Sequence, residues 1–361
     1  MLTKAGSVEL LTLTTDHYEV LAWYLTSYPG EKEDLAFWKE RFRFWWDENP
    51  AFSNGLARGW VLRKNGEIVG FMGNLSSLFQ LSGKPVTINS GTTWRVLPDY
   101  RNYSLCLLHK QMSYSKQTLL LGTTPNDTVS RVLEMFKFQP LPRSGQKTNI
   151  FVTHFEKVLE AFLPKNQLGR LIAKVLAPVF KLIQELRLKG PGEVQGLEVR
   201  EIFKADSSFD ELWGRTKNRY LHTAVRTSRV INWYCFASQR FRKKLFGVYR
   251  GERLLGYAIF ANSQARGLNT LECFDFWGEF EEKTILLSLI NYLRQYAKKH
   301  SLDWIKFYSF SKEMARLFEG SGLFQIPLKK SREYVQAKFE LETPLSEDNT
   351  YFTYLIGDIG V

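Results

Sequence analysis

GWVLRKNGEIVGFMGNLSSL, residues 59–78, is the stretch that decides the fold. Two apolar runs flank Asn65-Gly66, and both residues of that pair tolerate the positive φ that a tight hairpin turn demands. A second stretch, LFGVYRGERLLGYAIFANSQ, residues 245–264, repeats the layout around Arg250-Gly251-Glu252. Gly70 and Gly256 hold the same place in the second strand of each hairpin, 186 positions apart.

The same offset returns further along. FKFQPLP at 136–142 matches GLFQIPL at 322–328, with Phe138-Gln139 against Phe324-Gln325. Aromatic segments precede both hairpins: FRFWWDENP at 42–50 and INWYCFAS at 231–238. One offset at two separated places predicts two copies of one fold. Each copy reads as a helical N-terminal part, antiparallel strands, a strand leading into a helix, and then strand, helix and closing apolar run. In the first copy the helix after the strands spans roughly Ser104 to Lys116, and DTVSRVLEMF (127–136) is the next helix. In the second, EKTILLSLINYLRQYAKKH (282–300) is amphipathic and KEMARLFEGSG (312–322) stops at glycine, a common helix terminator. The expected class is α+β: two tandem domains, each a mixed, mostly antiparallel sheet flanked by helices. The expected boundaries are 1–150, a connector at 151–195, and 196–361.

The connector carries Leu168, Leu171, Ile172, Val175, Leu176, Val179, Ile183 and Leu186 on one helical stripe, with Arg170, Lys174, Lys181 and Arg187 mostly off it. Pro178 should kink that helix, and KGPGEVQG (189–196) ends it with breaker residues. Two readings stand: a helix docked on its own domains, or a peripheral contact of residues 165–189 with an anionic membrane surface.

With 361 residues, two domains are the natural division. A net charge of +12 favours acidic partners, yet no block of five consecutive basic residues occurs, so a nucleic-acid arm is unsupported. The three cysteines, Cys106, Cys235 and Cys273, are scattered and form no CxxC pair. That argues against zinc or a disulfide framework and for a reducing compartment. The five histidines have no ligand spacing, so no metal is expected. The N-terminus lacks a signal-peptide pattern and no run of eighteen apolar residues occurs. A cytoplasmic protein is the expectation.

VLPDYRNYSLCLL, residues 96–108, brings a strand end straight into a helix through an arginine. The order NGEIVGFMG, WRVLPDYRNYSLCLL, LLLGTTPNDTVSRVLEMFKFQ resembles the GNAT superfamily of N-acetyltransferases, in tandem form. The resemblance implies acetyl-CoA as co-substrate, bound in the first domain. The amides of Asn102, Tyr103, Ser104, Leu105 and Cys106 would cradle its pyrophosphate at a helix mouth, with Arg101 beside them. Val96 would pair its backbone with the pantetheine arm, and Asn126 would bond to the same arm. Ser104 and Cys106 stand where the family has its small residues; Cys106 reads as a small buried thiol. The family's general-acid tyrosine would fall at Leu133 and the glycine after that helix at Lys137, so no residue takes a catalytic role. In the second copy, Glu279, Glu281 and Glu282 would repel a phosphate, leaving a non-binding scaffold or a wall for the acceptor.

The resemblance thus implies an acyl-CoA-dependent N-acyltransferase acting on an amine acceptor, an amino sugar or cell-surface precursor, by direct aminolysis. The alternatives are a catalytically inactive GNAT-like protein that binds through its basic connector, and a Fem-like transferase using aminoacyl-tRNA. Trp45 and Trp46 read as aromatic core before acceptor groove.

Overall fold

The computed structural model describes residues 7–142, 147–188, 196–279, 283–327 and 333–358. The first part of the chain forms strands β1 (Glu9–Thr12), β2 (Gly59–Lys64), β3 (Glu67–Leu81), β4 (Lys84–Val96), β5 (Leu120–Gly122) and β6 (Gln139–Pro140). Its helices are α1 (Tyr18–Thr26), α2 (Leu35–Phe42), α3 (Ser104–Tyr114) and α4 (Asp127–Met135). Then come β7 (Lys147–Val152), α5 (Phe155–Phe162), α6 (Gln167–Arg187), β8 (Glu198–Ile202), α7 (Ser207–Thr216), β9 (His222–Ala224) and α8 (Ser228–Phe236). The chain continues through β10 (Lys244–Arg250), β11 (Arg253–Ala265), β12 (Leu268–Gly278), α9 (Lys283–Lys299), β13 (Trp304–Tyr308) and α10 (Lys312–Phe318). It closes with β14 (Phe324–Pro327), β15 (Tyr334–Gln336) and β16 (Thr350–Tyr351).

These elements make two compact units. Unit 1 joins residues 1–141 to 331–344 and 356–361; unit 2 joins 142–330 to 345–355. The division differs from the expected 1–150, 151–195 and 196–361: the connector belongs to unit 2, and late segments return to unit 1. Within unit 1 the strands run β1-β2-β3-β4-β5-β15-β6, and within unit 2 they run β8-β10-β11-β12-β13-β7-β14. Along these two runs pairing is antiparallel except β4 with β5 and β12 with β13; β16 also pairs with β9 in parallel. Each sheet therefore takes its penultimate strand from the other half of the sequence.

The 186-residue offset reaches the register of these strands. Leu62 faces Gly70 as Val248 faces Gly256, and the ladder shifts at the next residue in both hairpins. Tyr334 of β15 faces Pro140 and Gly122, while Thr148 of β7 faces Ile326 and Tyr308. In the first hairpin Asn65 (φ 50°) and Gly66 (φ 89°) supply the two left-handed turn residues.

The core of unit 1 packs Trp60, Leu62, Met72, Leu108, Leu120 and Leu133 between sheet and helices. Trp45 and Trp46 are fully buried, and the Trp46 indole N–H donates to the carbonyl of Asn74 at 2.9 Å. They are core, not groove. The ENP element is fixed by Asn49, whose side-chain amide donates to the carbonyls of Trp45 and Ser76, each at 2.9 Å.

In unit 2, α6 docks through Gly169, Ala173 and Gln184. The buried Gln184 amide completes the end of β7, accepting from the Val152 N–H at 2.9 Å and donating to its carbonyl at 2.8 Å. The apolar stripe singled out in the sequence is not the docking face; its leucines and valines point outward.

Candidate functional site

In unit 1, β4 and β5 pair only from Asn89–Gly91 to Leu120–Gly122 and then part. The cause is local. Pairing of β4 with β3 jumps from Thr92↔Gly73 to Arg95↔Phe71, so Thr93 and Trp94 together stand opposite the single residue Met72, and Thr93 is left-handed at φ 49°. A bulge bends its strand and re-aims the backbone beyond it. The opening encloses a cavity of about 390 Å³ lined by Thr92, Thr93, Arg95, Gln111, Asn126 and Asp358 over a floor that includes Leu108, Leu120 and Leu133.

Three polar side chains define what this slot can hold. Gln111 is buried, its Nε2 donates weakly to Asn74 Oδ1 at 3.4 Å, and its Oε1 has no partner among the described residues. A buried acceptor left unbonded is costly and marks a place for a donor from a ligand. Gly91 makes room for it: a Cβ there would stand 2.9 Å from that oxygen. Asn126 is the N-cap of α4, its Oδ1 accepting from the Val129 N–H at 2.9 Å, and it lines the cavity.

Asp358 is the third, and the sequence offered no signal for it. Its carboxylate accepts hydroxyl hydrogen bonds from Thr92 at 2.9 Å, Thr123 at 2.6 Å, and Thr124 at 2.9 and 3.0 Å. Gly357 (φ 77°) lets the tail approach, since a Cβ there would lie 2.6 Å from Thr123 Oγ1. Nearby Arg41 is half-buried and packs against the rings of Phe37, Trp38 and Trp45. Burial pulls its guanidinium down to about 10, against the opposing pull of the Asp358, Glu33 and Glu31 carboxylates. Arg95 pairs with Glu31 and stacks over Tyr28 and Trp38, so it shapes the wall as a fixed group.

The turn expected to bind pyrophosphate has another form. Pro98–Tyr103 is a 3₁₀ turn running directly into α3, so the helical amino end lies at Pro98 and not at Ser104. Within it, Tyr100 donates its N–H to the Leu97 carbonyl at 2.9 Å, and Ser104 donates to the carbonyl of Arg101. Asn102 and Tyr103 are exposed and do not line the slot. Leu105 and Cys106 face a separate groove with Leu10, His109 and Phe136. Cys106 is exposed, correcting the buried thiol of the sequence reading: Leu107 and Leu108 take the inward positions of that turn. Arg101 is exposed and makes no ion pair among the described residues. Val96 is buried and pairs with Gly70, its carbonyl accepting from the Tyr28 hydroxyl at 3.0 Å; the strands have already parted before it.

Two positions singled out by the resemblance can be located. Leu133 lines the slot where the resemblance puts a tyrosine, and it cannot move a proton. Lys137 follows α4 at φ 64°, a glycine-favouring conformation. Its N–H reaches the Glu134 carbonyl at 2.9 Å and that of Phe138 reaches Leu133 at 3.0 Å, closing the helix.

Unit 2 has the same strand separation, closed by its own tail. Beyond the β12–β13 pairing, Tyr354 donates its N–H to the Phe274 carbonyl at 3.0 Å. Its ring packs on Phe274, Tyr308 and Phe310 at 5.4–5.5 Å. Aromatic filling, more than negative charge, occupies this slot. Glu279 is held by Arg215 at 3.2 Å and Arg253 at 2.7 Å, so its charge is matched; Glu281 and Glu282 lie outside the described residues.

No protein-family model and no curated relative matches the sequence. Solved structures do match. A conserved protein of unknown function from Enterococcus faecalis V583, described as a probable N-acyltransferase, aligns with TM-score 0.62 and 10% identity over 92% of this chain and 72% of its own. Saccharomyces cerevisiae N-myristoyltransferase with bound myristoyl-CoA gives 0.55 and 14% over 93% and 83%. A GCN5-related N-acetyltransferase from Anabaena variabilis gives 0.56 and 12% over 92% and 73%. The chain therefore has a GNAT-like, two-domain fold similar to that of these structures.

Proposed function

We propose that this chain is an acyl-CoA-dependent N-acyltransferase working from the slot of unit 1. One observation carries the reading: in a fold used by N-acyltransferases, the parted strands β4 and β5 leave an unfilled cavity with an unpartnered amide acceptor and one carboxylate. The pantetheine arm would lie along β4, its amide N–H groups reaching Gln111 Oε1 and its carbonyls the amide of Asn126. Arg101, with the amides from Asn102 to Cys106 once the 3₁₀ turn opens, would meet the diphosphate outside the slot, and the Val96 end of β4 would border the arm.

The reaction is aminolysis. The acceptor nitrogen attacks the thioester carbonyl, a C–N bond forms, and the C–S bond breaks with release of the thiolate. Asp358 takes the proton from the nitrogen, a role that its place on the slot supports, while the alcohol hydrogen bonds fix its position. Backbone N–H groups at the Thr93–Trp94 bulge would polarise the carbonyl oxygen. Acetyl is the proposed acyl group, and an amino sugar or cell-surface precursor the proposed acceptor, both from the sequence resemblance.

The test is release of free thiol from acetyl-, octanoyl- and myristoyl-CoA against a panel of primary amines, with Ser104→Asp beside the wild type. The proposal expects amine-dependent release that Ser104→Asp weakens through the Michaelis constant by about tenfold, as charge repulsion at close range implies. Absence of release with every thioester, or transfer only from aminoacyl-tRNA, overturns it.

A further inference from the structure

Helix α6 presents three faces. Gly169, Ala173 and Gln184 turn into unit 2. Nearly opposite, about 150° round the helix, Leu168, Leu171, Val175, Val179, Leu182 and Leu186 recur at three- and four-residue spacing, each 50–64% exposed. Between these faces run Arg170, Lys174 and Lys181, none in an ion pair among the described residues; Glu185 is the helix's one acidic residue. An α-helix of 21 residues is about 31 Å long, so the apolar strip extends well beyond a scattered surface leucine.

We infer that this face of α6 is a docking surface for an anionic lipid bilayer, on which the helix lies parallel to the membrane plane. The apolar strip matches the depth of the headgroup–acyl boundary, and a row of cations along its edge matches lipid phosphates. Among the described residues no helix is long and apolar enough to span a bilayer, so the contact is superficial. A second copy of the chain fits less well, because it would bring two rows of the same charge together with one acidic residue to offset them. Docking is already complete on the Gln184 side, so the strip is not held in reserve for its own unit. This inference is independent of the acyltransferase reading.

Sedimentation of the full chain with phosphatidylcholine vesicles, with and without phosphatidylglycerol, tests it. The chain should partition onto the anionic vesicles, less at high salt. Lys174→Glu with Lys181→Glu should weaken partitioning at least about 25-fold, taking each lysine near an anionic surface as worth about fivefold. Leu171→Glu with Val175→Glu and Leu182→Glu should abolish it, and circular dichroism should show both variants folded, since no changed side chain is buried. No binding to anionic vesicles, or binding indifferent to the lysine pair, overturns the inference. So does light scattering that shows a wild-type dimer dissolved by the leucine–valine variant without vesicle binding.

Discussion

Asp358 accepts a 2.6 Å hydrogen bond from the hydroxyl of Thr123, at the point where β5 gives way to the loop before α4. That contact sets a carboxylate on the slot from a segment more than two hundred residues away in sequence. If Asp358 takes the acceptor's proton, Asp358→Asn keeps the shape and removes the base. Turnover should fall about 10²–10⁴-fold, with thioester affinity changed only a few-fold. Equal losses in affinity and turnover would make Asp358 a structural clamp instead.

Lys137 is left-handed at φ 64° where the chain closes α4. A side chain there costs about 1 kcal/mol that glycine would not. Lys137→Gly should therefore raise stability by roughly that amount in urea melts, with the slot unchanged. A loss of stability would mean that the lysine side chain contributes more than its backbone costs.

Much of this architecture is legible in the sequence for a local reason. Asn65-Gly66 and Gly251 announce their hairpins because turn chemistry is decided within a few residues, and the Gly70–Gly256 spacing carries straight into strand register. The placement of β7 and β15 is not legible, because nothing near Thr148 or Tyr334 specifies a partner far along the chain. Periodicity marks the apolar stripe of α6 but cannot say which face is covered; Gly169, Ala173 and Gln184, small or polar, did the packing. Asp358 escaped for the same reason as the strands. Around Arg101 the chain runs through a 3₁₀ turn before α3, which no residue pattern in the sequence marked.

Arg226 and Asp275 form a wholly buried pair in unit 2, bonded at 3.1 and 3.0 Å, with Tyr257 donating to the same carboxylate at 3.0 Å. Removing one partner strands a charge. Arg226→Met should cost about 3–5 kcal/mol, and Arg226→Met with Asp275→Leu should recover much of it. Additive losses in chemical denaturation would show that the two residues act separately.

Acid should loosen unit 2 through Asp303. Burial pushes that carboxyl upward, but hydrogen bonds from Lys157 (2.6 Å) and the Asn269 N–H (2.7 Å), with the charges of Lys157 and His154, outweigh it and hold it below the usual range. A lowered folded-state pKa gives stability that is complete above the unfolded value, about 3.9, and lost as pH falls through the folded value. The denaturation midpoint of Asp303→Asn should thus depend less on pH between about 5 and 2 than that of the wild type. Parallel acid limbs would exclude this residue.

Calorimetric titration of acetyl-CoA into the wild type and Thr124→Trp tests the central claim most directly, since Thr124 is exposed at the slot's mouth and an indole there would block entry. The slot reading predicts saturable binding to the wild type and a loss of at least about 100-fold in the variant, the scale of one excluded bidentate or buried group. Equal binding by the two proteins, or no binding by either, would contradict it.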